Sequence, residues 1–153
     1  MRRFALFFAA VLLFLFVGCA TPPESGREET EPGDRMKMYL IIHEHKLEVT
    51  LADNSSVDAL VARLKEGDIT FSATENGGFE IYGSIGQPLP TNNTNITAHA
   101  GDVLLYSGHY ICIFFGSNTW SYTRIGTING DTMPELQSLL GGATSVQVTI
   151  SLQ

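Results

Sequence analysis

The sequence predicts a mainly β protein whose folded part is a closed barrel of about eight strands with two short helices. Three observations lead to this fold class. Short runs of alternating apolar and polar residues recur from Met36 onward. Turn-forming residues such as Asn76-Gly77-Gly78 separate these runs. Only two segments have the period of an amphipathic helix. A closed barrel is favoured because closure leaves no unpaired sheet edge exposed.

The strand pattern is clearest where Leu47, Val49 and Leu51 alternate with Glu48 and Thr50, the period of a half-buried strand. In chain order, the predicted strands cover residues 36–42, 47–51, 69–73, 79–82, 102–106, 110–115, 120–128 and 146–152. The polar, turn-rich segment 87–98 is predicted to be a long surface loop.

Two helices interrupt the strands. The first is predicted from an apolar stripe at spacing i, i+3, i+4 and i+7, formed by Val57, Leu60, Val61 and Leu64. Ser55 and Asp58 are predicted to form its capping box. The second helix is predicted over residues 133–140, with Thr132 and Glu135 as the capping pair.

The first eighteen residues have the pattern of an export signal. Arg2 and Arg3 precede an uncharged apolar run over 4–18, which is shorter than the roughly 20 residues that span a bilayer. The run ends in Phe16-Val17-Gly18-Cys19, which resembles the bacterial lipobox. That resemblance implies cleavage before Cys19 and lipidation of its thiol. An ordinary signal peptide with an incidental cysteine is the alternative.

Residues 19–35 are predicted to be the lipidated cysteine and a flexible acidic linker, followed by a single domain over 36–153. From residue 20 to residue 35 the linker holds three prolines and five acids and no large apolar side chain, so it cannot repay its ordering entropy. The protein is therefore expected in the cell envelope, extracytoplasmic and held to a membrane through its lipid anchor. Ala20 follows the cysteine, which by resemblance to Gram-negative sorting signals implies the outer membrane in such a bacterium.

Charge and cysteine content argue against a nucleic-acid-binding protein and against a disulfide-stabilised domain. The chain has 9 basic and 16 acidic residues, and removing 1–18 leaves 7 against 16. No cluster of Lys and Arg remains, so nucleic acid is not expected as a partner. Once Cys19 is lipidated only Cys112 is left, which rules out an internal disulfide. Cys112 lies in an apolar run and is predicted to be a buried, inert thiol.

Three segments carry a resemblance to a known family: 82–85 (YGSI), 100–106 (AGDVLLY) and 122–126 (YTRIG). They resemble the small bacterial cyclophilin-like proteins, and the similarity extends over nearly all of 36–152. The resemblance implies a cyclophilin-type barrel with one or two helices at its open ends. Members of that family mostly have no assigned activity.

A weaker similarity links the chain to peptidyl-prolyl isomerases. Phe114-Phe115, Trp120 and 126–130 (GTING) resemble the stretch that contributes an aromatic wall to the isomerase groove. The isomerase family also has a catalytic arginine in a Phe-His-Arg strand and a Gln-Gly-Gly-Asp turn, and this sequence has neither. Without the arginine that donates to the proline nitrogen, the twisted amide is poorly stabilised. We therefore predict no catalytic residues.

Candidate binding residues cluster on aromatic strands. Trp120, Tyr122 and Arg124 share one face of the predicted strand 120–128. A guanidinium beside aromatic rings can grip a carboxylate or stack on a ring. The alternative is a structural arginine paired with Asp102 or Glu80. The predicted ligand-binding residues are Tyr82, Tyr106, Phe115, Trp120, Tyr122 and Arg124.

His43 and His45 form an H-x-H pair on one strand face, a spacing that two metal ligands can use, but an exposed hairpin end is the favoured interpretation. Neither a metal nor a cofactor is predicted. The leading hypothesis is a membrane-anchored binding module for a small acidic ligand or a peptide. The alternatives are a peptidyl-prolyl isomerase and a structural or interaction protein of the envelope.

Overall fold

The computed structural model describes residues 36–132, 134, 136–142 and 144–153 of the 153-residue chain. The predicted signal peptide over 1–18, the lipidation site Cys19 and the linker over 19–35 lie outside the described residues, as does Glu135 of the predicted second capping pair. None of the helices in the described segments has the length and hydropathy needed to cross a bilayer.

Across these segments the chain forms nine strands, two α-helices and a single 3₁₀ turn. In order they are β1 (Met38–Ile42), β2 (His45–Leu51), α1 (Ser55–Leu64), β3 (Ile69–Asn76), β4 (Glu80–Ser84), β5 (Thr94–Ala98), β6 (Asp102–Tyr106), β7 (Tyr110–Phe114), β8 (Asn118–Ile128), the 3₁₀ turn (Gly130–Thr132), α2 (Leu136–Leu140) and β9 (Val146–Leu152). The eight predicted strands are all present, with ends that differ by at most three residues.

Strand pairing closes the sheet. The hydrogen-bonded order is β2-β1-β9-β3-β4-β7-β6-β8, and β8 pairs again with β2. Every one of these pairings is antiparallel. The prediction of a mainly β protein with a closed ring of eight strands is therefore confirmed. The eleven residues of β8 are long enough to meet β6 and β2 near one end and β5 near the other.

The prediction of a continuous loop over 87–98 is wrong for its last five residues. They form β5, which pairs antiparallel with β8, Thr94 opposite Tyr122 and Ala98 opposite Asn118. Their polar composition hides the strand, because β5 is held to β8 through backbone hydrogen bonds and places only Ala98 in a buried position. A half-solvated edge strand gives little hydrophobic periodicity.

Helix α1 is confirmed, but its predicted cap is wrong. The Asn54 side chain, not Ser55, accepts hydrogen bonds from the backbone amides of Ser56 at 3.0 Å and Val57 at 3.1 Å. Asn54 has the extended backbone of a capping residue, whereas Ser55 already belongs to the helix. The Asn54 amide also donates to the Arg124 carbonyl at 2.8 Å, which ties the helix start to β8.

The interior of the ring holds the main hydrophobic core. Alternate residues of each strand point inward, and α1 adds its buried face. Fully buried members include Leu40, Ile42, Leu60, Ile81, Val103, Leu105, Ile111, Ile113, Ile125 and Ile150.

The hairpin formed by β6 and β7 is apolar on both faces. Val103 and Leu105 belong to the interior core, while Leu104 between them belongs to a second cluster. Because successive side chains of a strand point to opposite faces, this second cluster lies on the outside of the ring. Its buried members are Ala98, Leu104, Cys112, Phe114 and Tyr122. An outer apolar face that is only partly covered by β5 forms the base of the site described next.

Candidate functional site

A pocket of about 280 Å³ opens on the outer face of β4, β6, β7 and β8. Its floor and walls include side chains of the second hydrophobic cluster. The lining residues are Asn76, Glu80, Tyr82, Tyr106, Cys112, Asn118, Trp120 and Tyr122. Its volume is just below the usual range for sites that take drug-sized molecules. The pocket therefore has room for a small molecule or a single side chain.

The structure brings together four of the six predicted ligand-binding residues. Tyr82, Tyr106, Trp120 and Tyr122 all line the pocket, although they come from β4, β6 and β8. Phe115 does not reach it, because its side chain is buried in the interior core. Arg124 is not among the lining residues either.

The tyrosine and tryptophan rings differ in exposure. Tyr122 is 3 % exposed and meets Tyr106 and Phe114 edge-on, with ring centroids 6.1 Å and 5.6 Å away. Its hydroxyl accepts a hydrogen bond from the Asn118 amide at 3.0 Å. Trp120 is 57 % exposed and Tyr106 40 %, so both present aromatic surface to solvent at the pocket mouth. Burial raises the pKa of the Tyr122 hydroxyl, so this group remains a neutral phenol at physiological pH.

The carboxyl group of Glu80 is the buried polar group of the pocket. Glu80 is only 4 % exposed. Its Oε1 accepts a hydrogen bond from the Asn76 amide at 2.8 Å, whereas its Oε2 is buried with no hydrogen-bond partner among the described residues. Burial raises the pKa of this carboxyl, and the bond from Asn76 opposes that rise. A buried acceptor without a partner is costly, and in native proteins it calls for an explanation.

Cys112 adjoins Glu80 and also lines the pocket. The thiol is buried, as predicted from its apolar neighbours. Burial raises its pKa far above the usual range, and the negative charge of Glu80 adds to that effect. The thiol is only a weak S–H donor to the Glu80 carboxyl, so Oε2 still lacks an N–H or O–H partner among the described residues. Cys112 is therefore a neutral wall of the pocket and has none of the thiolate character of a nucleophile.

Arg124 has the structural partner that the alternative interpretation predicted. Its Nη1 lies 2.6 Å from Oδ1 of Asp102, in a partly buried ion pair. Asp102 also accepts from the backbone amide of His99 at 3.0 Å and from the Thr127 hydroxyl at 3.3 Å. The guanidinium is thus already engaged at the start of β6.

The predicted placement of His43 and His45 on one strand face is wrong. His43 lies in the turn between β1 and β2 with a φ of 53°, while His45 begins β2. The positive φ breaks the alternation that would align the two rings. The exposed hairpin end is confirmed. Among the described residues, no three His, Cys, Asp or Glu side chains come together as a metal site.

Sequence reasoning did not assign Glu80, Asn76 and Asn118 to the site. A signal for Glu80 was present, since it sits between Phe79 and Ile81 in a strand that is otherwise apolar. The signal for the pocket itself was that β6 and β7 are each apolar at consecutive positions. Such strands have apolar side chains on both faces of the sheet, so both faces must be shielded from water. Asn76 and Asn118 look like turn residues in the sequence, and only the fold brings them beside Glu80 and Tyr122.

A closed antiparallel ring of eight strands with two α-helices fits a cyclophilin-like domain. A sequence model of the cyclophilin-like family matches residues 40–151, and the chain belongs to that family. It is also similar to the solution structure of the hypothetical protein AF2241 from Archaeoglobus fulgidus, with a TM-score of 0.57 and 23 % sequence identity. That match covers 78 % of this chain and 98 % of the archaeal one, and it supports the fold alone. None of the curated proteins compared with the chain matches it. Neither β3 nor β4 contains an arginine in the position that an isomerase would require.

Proposed function

We propose that the protein is a lipid-anchored binding protein of the cell envelope, and that its outer-face pocket binds a small molecule or one side chain of a peptide. The observation that carries this proposal is the Glu80 carboxyl, buried in an aromatic pocket with its Oε2 unpartnered. A ligand that donates a hydrogen bond to Oε2 would satisfy it.

The exposed aromatic surface supports a binding role. Trp120 and Tyr106 are the largest exposed apolar side chains of the ring, and both stand at the same pocket. Exposed aromatic groups beside a concave, partly apolar surface are typical of ligand sites.

The charges in the pocket change the ligand that the sequence suggested. An acidic ligand was expected because of Arg124, but that guanidinium is paired with Asp102. Glu80 is the one carboxylic acid among the described lining residues, and no Lys, Arg or His lines the pocket with it. The pocket therefore favours a hydrogen-bond donor over an anion.

β1 stands four strands from β7 in either direction around the ring. Since β7 is central among the pocket strands, a side chain of β1 such as Tyr39 lies on the opposite side of the ring and can serve as a distant control.

Calorimetric titration of the purified full chain tests the binding site. The probes are n-butylamine, butyramide and 1-butanol, and we expect saturable binding of at least one of them. Tyr82→Ala and Trp120→Ala should each weaken that binding several-fold. Tyr39→Ala, which removes a ring from β1 on the opposite side, should not change it. Absence of saturable binding by all three probes would refute the proposed pocket function and favour a structural or interaction role.

Metabolic labelling with a fatty acid in a bacterial host tests the anchor. The chain has two cysteines, which supply matched variants. Cys19→Ser should lose the label and the membrane association, while Cys112→Ser should keep both. Equal labelling of the wild type and the Cys19→Ser variant would refute lipidation at this residue.

A further inference from the structure

We infer that the outer-face pocket recognises an organic cation that carries N–H groups, a primary ammonium or a guanidinium, by holding it between aromatic rings and the Glu80 carboxylate. This inference rests on the proposed binding function and names the chemical class of its ligand.

Oε2 of Glu80 is a buried, unsatisfied oxygen. Oε1 of Glu80 is already bonded to Asn76, so Oε2 is the atom that remains for a ligand. A charged N–H donor forms a shorter and stronger hydrogen bond to a carboxylate than a neutral donor does. It also compensates the buried negative charge, which a neutral donor leaves in place.

Four aromatic rings share the pocket with that oxygen. Tyr82, Tyr106, Trp120 and Tyr122 line the same small pocket. The faces of aromatic rings attract cations through their quadrupole, most strongly for tryptophan and where water is excluded. Rings contributed by three strands, with an acid among them, give a cation two kinds of favourable contact.

The charge balance of the pocket lining favours a cation over an anion. The described lining residues include one acid and no Lys, Arg or His. An anionic ligand would meet Glu80 without any compensating cation. A quaternary ammonium would gain the ring contacts but has no N–H to donate to Oε2, so it should bind less tightly than a primary ammonium of similar size.

The experiment compares probes of matched size on the full chain. Trp120 is the single tryptophan of the sequence, so its fluorescence reports pocket occupancy directly. The probes are n-butylammonium, n-butylguanidinium, tetramethylammonium, 1-butanol and butyrate. We expect either N–H cation to bind about tenfold or more tightly than 1-butanol, as one charge-assisted hydrogen bond predicts. Tetramethylammonium should be weaker than n-butylammonium, and butyrate should not bind.

Glu80→Gln tests how much the negative charge of Glu80 contributes to cation affinity. It keeps the side-chain shape and the acceptor for Asn76, and it should lower the n-butylammonium affinity about tenfold, to that of 1-butanol. Tyr39→Ala is the distant control. If Glu80→Gln does not fold, Trp120→Ala replaces it, because this exposed side chain can be removed without opening the core. Calorimetry should then show a several-fold loss of cation affinity.

The outcomes separate this inference from the proposed function. Equal affinity for n-butylammonium and 1-butanol, or a cation preference that survives Glu80→Gln, would overturn the cation assignment and leave a pocket that binds ligands. Failure of every probe to bind would overturn the cation assignment and count against the pocket function as well.

Discussion

The side chain of Glu80 is buried on the outer face of β4 at a cost to stability. One carboxyl oxygen is bonded to Asn76, and the other has no partner among the described residues. Burial disfavours the charged form and raises the carboxyl pKa. Local rules of folding are most often broken where a protein binds or reacts, which is why we propose Glu80 as a ligand-binding residue.

We predict that Glu80→Gln stabilises the protein in a pH-dependent way. A carboxyl whose pKa is raised in the folded state binds its proton more tightly there than in the unfolded chain. The wild type therefore loses stability as the pH rises from the usual carboxyl range through the raised pKa of Glu80. Glutamine does not titrate, so the free energy of unfolding of the variant lacks this pH dependence. The stability gained over the wild type should therefore be small in acid and largest above the raised pKa of Glu80. Urea unfolding of both proteins across a pH series measures it, with the exposed Glu44→Gln as control. A gain that does not change with pH would contradict the prediction.

Arg124→Ala is predicted to weaken the fold and to leave n-butylammonium affinity unchanged. The substitution leaves the nearly buried carboxylate of Asp102 without its ion-pair partner. In the wild type, Nη1 of Arg124 lies 2.6 Å from Oδ1 of Asp102. Loss of a hydrogen bond between charged groups should cost about 1.5–3 kcal/mol in the free energy of unfolding. Lys37→Ala breaks an exposed pair with Glu48 and should weaken the fold less than Arg124→Ala does, because solvent screens that pair. Unchanged stability together with weaker probe binding would contradict this prediction and show that Arg124 belongs to the binding site.

At the scale of elements, the sequence predicted the strands and the helix that bury a regularly spaced apolar face. The strand around Leu47, Val49 and Leu51 and the stripe of α1 are both present, because each must bury an apolar face. β5 was missed because backbone pairing with β8 forms it. The capping residue was misassigned because Asn54 and Ser55 are both favourable caps, and only their backbone angles separate them.

Asn54→Ala is predicted to destabilise the protein by about 1–2 kcal/mol, the usual cost of losing a helix cap. The Ser56 amide would lose its acceptor, the Val57 amide would keep only the Asn54 carbonyl, and the link to Arg124 would be lost as well. Ser55→Ala is the matched control, because its exposed hydroxyl bonds only to Asn92 among the described residues, and removing it should cost about 0.5 kcal/mol. Thermal or urea unfolding compares the two. A larger loss from Ser55→Ala would show that the cap was assigned to the wrong residue.

At the scale of the whole molecule, the ring depends on contacts between distant parts of the sequence. β2 must meet β8, and β1 must meet β9, before the sheet is closed. The sequence predicted closure from the number of strands and from the family resemblance. It predicted the aromatic lining residues Tyr82, Tyr106, Trp120 and Tyr122. It did not predict Glu80, Asn76 and Asn118, because these become neighbours of the rings only through the strand order.

Gly126 is predicted to be essential to ring closure. A Cβ at this position would lie 2.3 Å from the Thr50 carbonyl oxygen, where β8 meets β2. Gly126→Ala should therefore lower the free energy of unfolding by on the order of 3 kcal/mol, since backbone on both strands would have to shift. Gly130→Ala, with no atom within 4 Å of the added Cβ, should change it by less than about 0.5 kcal/mol. Equal unfolding midpoints for the two variants would show that β2 and β8 can move apart at Gly126 without loss of stability.

The backbones of Lys37 and Gln153 exchange two hydrogen bonds, at 3.1 Å and 3.0 Å, beside the pairing of β1 with β9. A peptide leading into the domain and a peptide leaving it would thus pass through the same small area of the surface. A fluorescent protein fused after Gln153 would emerge beside the point where the linker joins, leaving the aromatic side unobstructed. The same proximity suits circular permutation: a short bridge could connect these ends and new ones could be cut at Gly77-Gly78, with every strand pair retained.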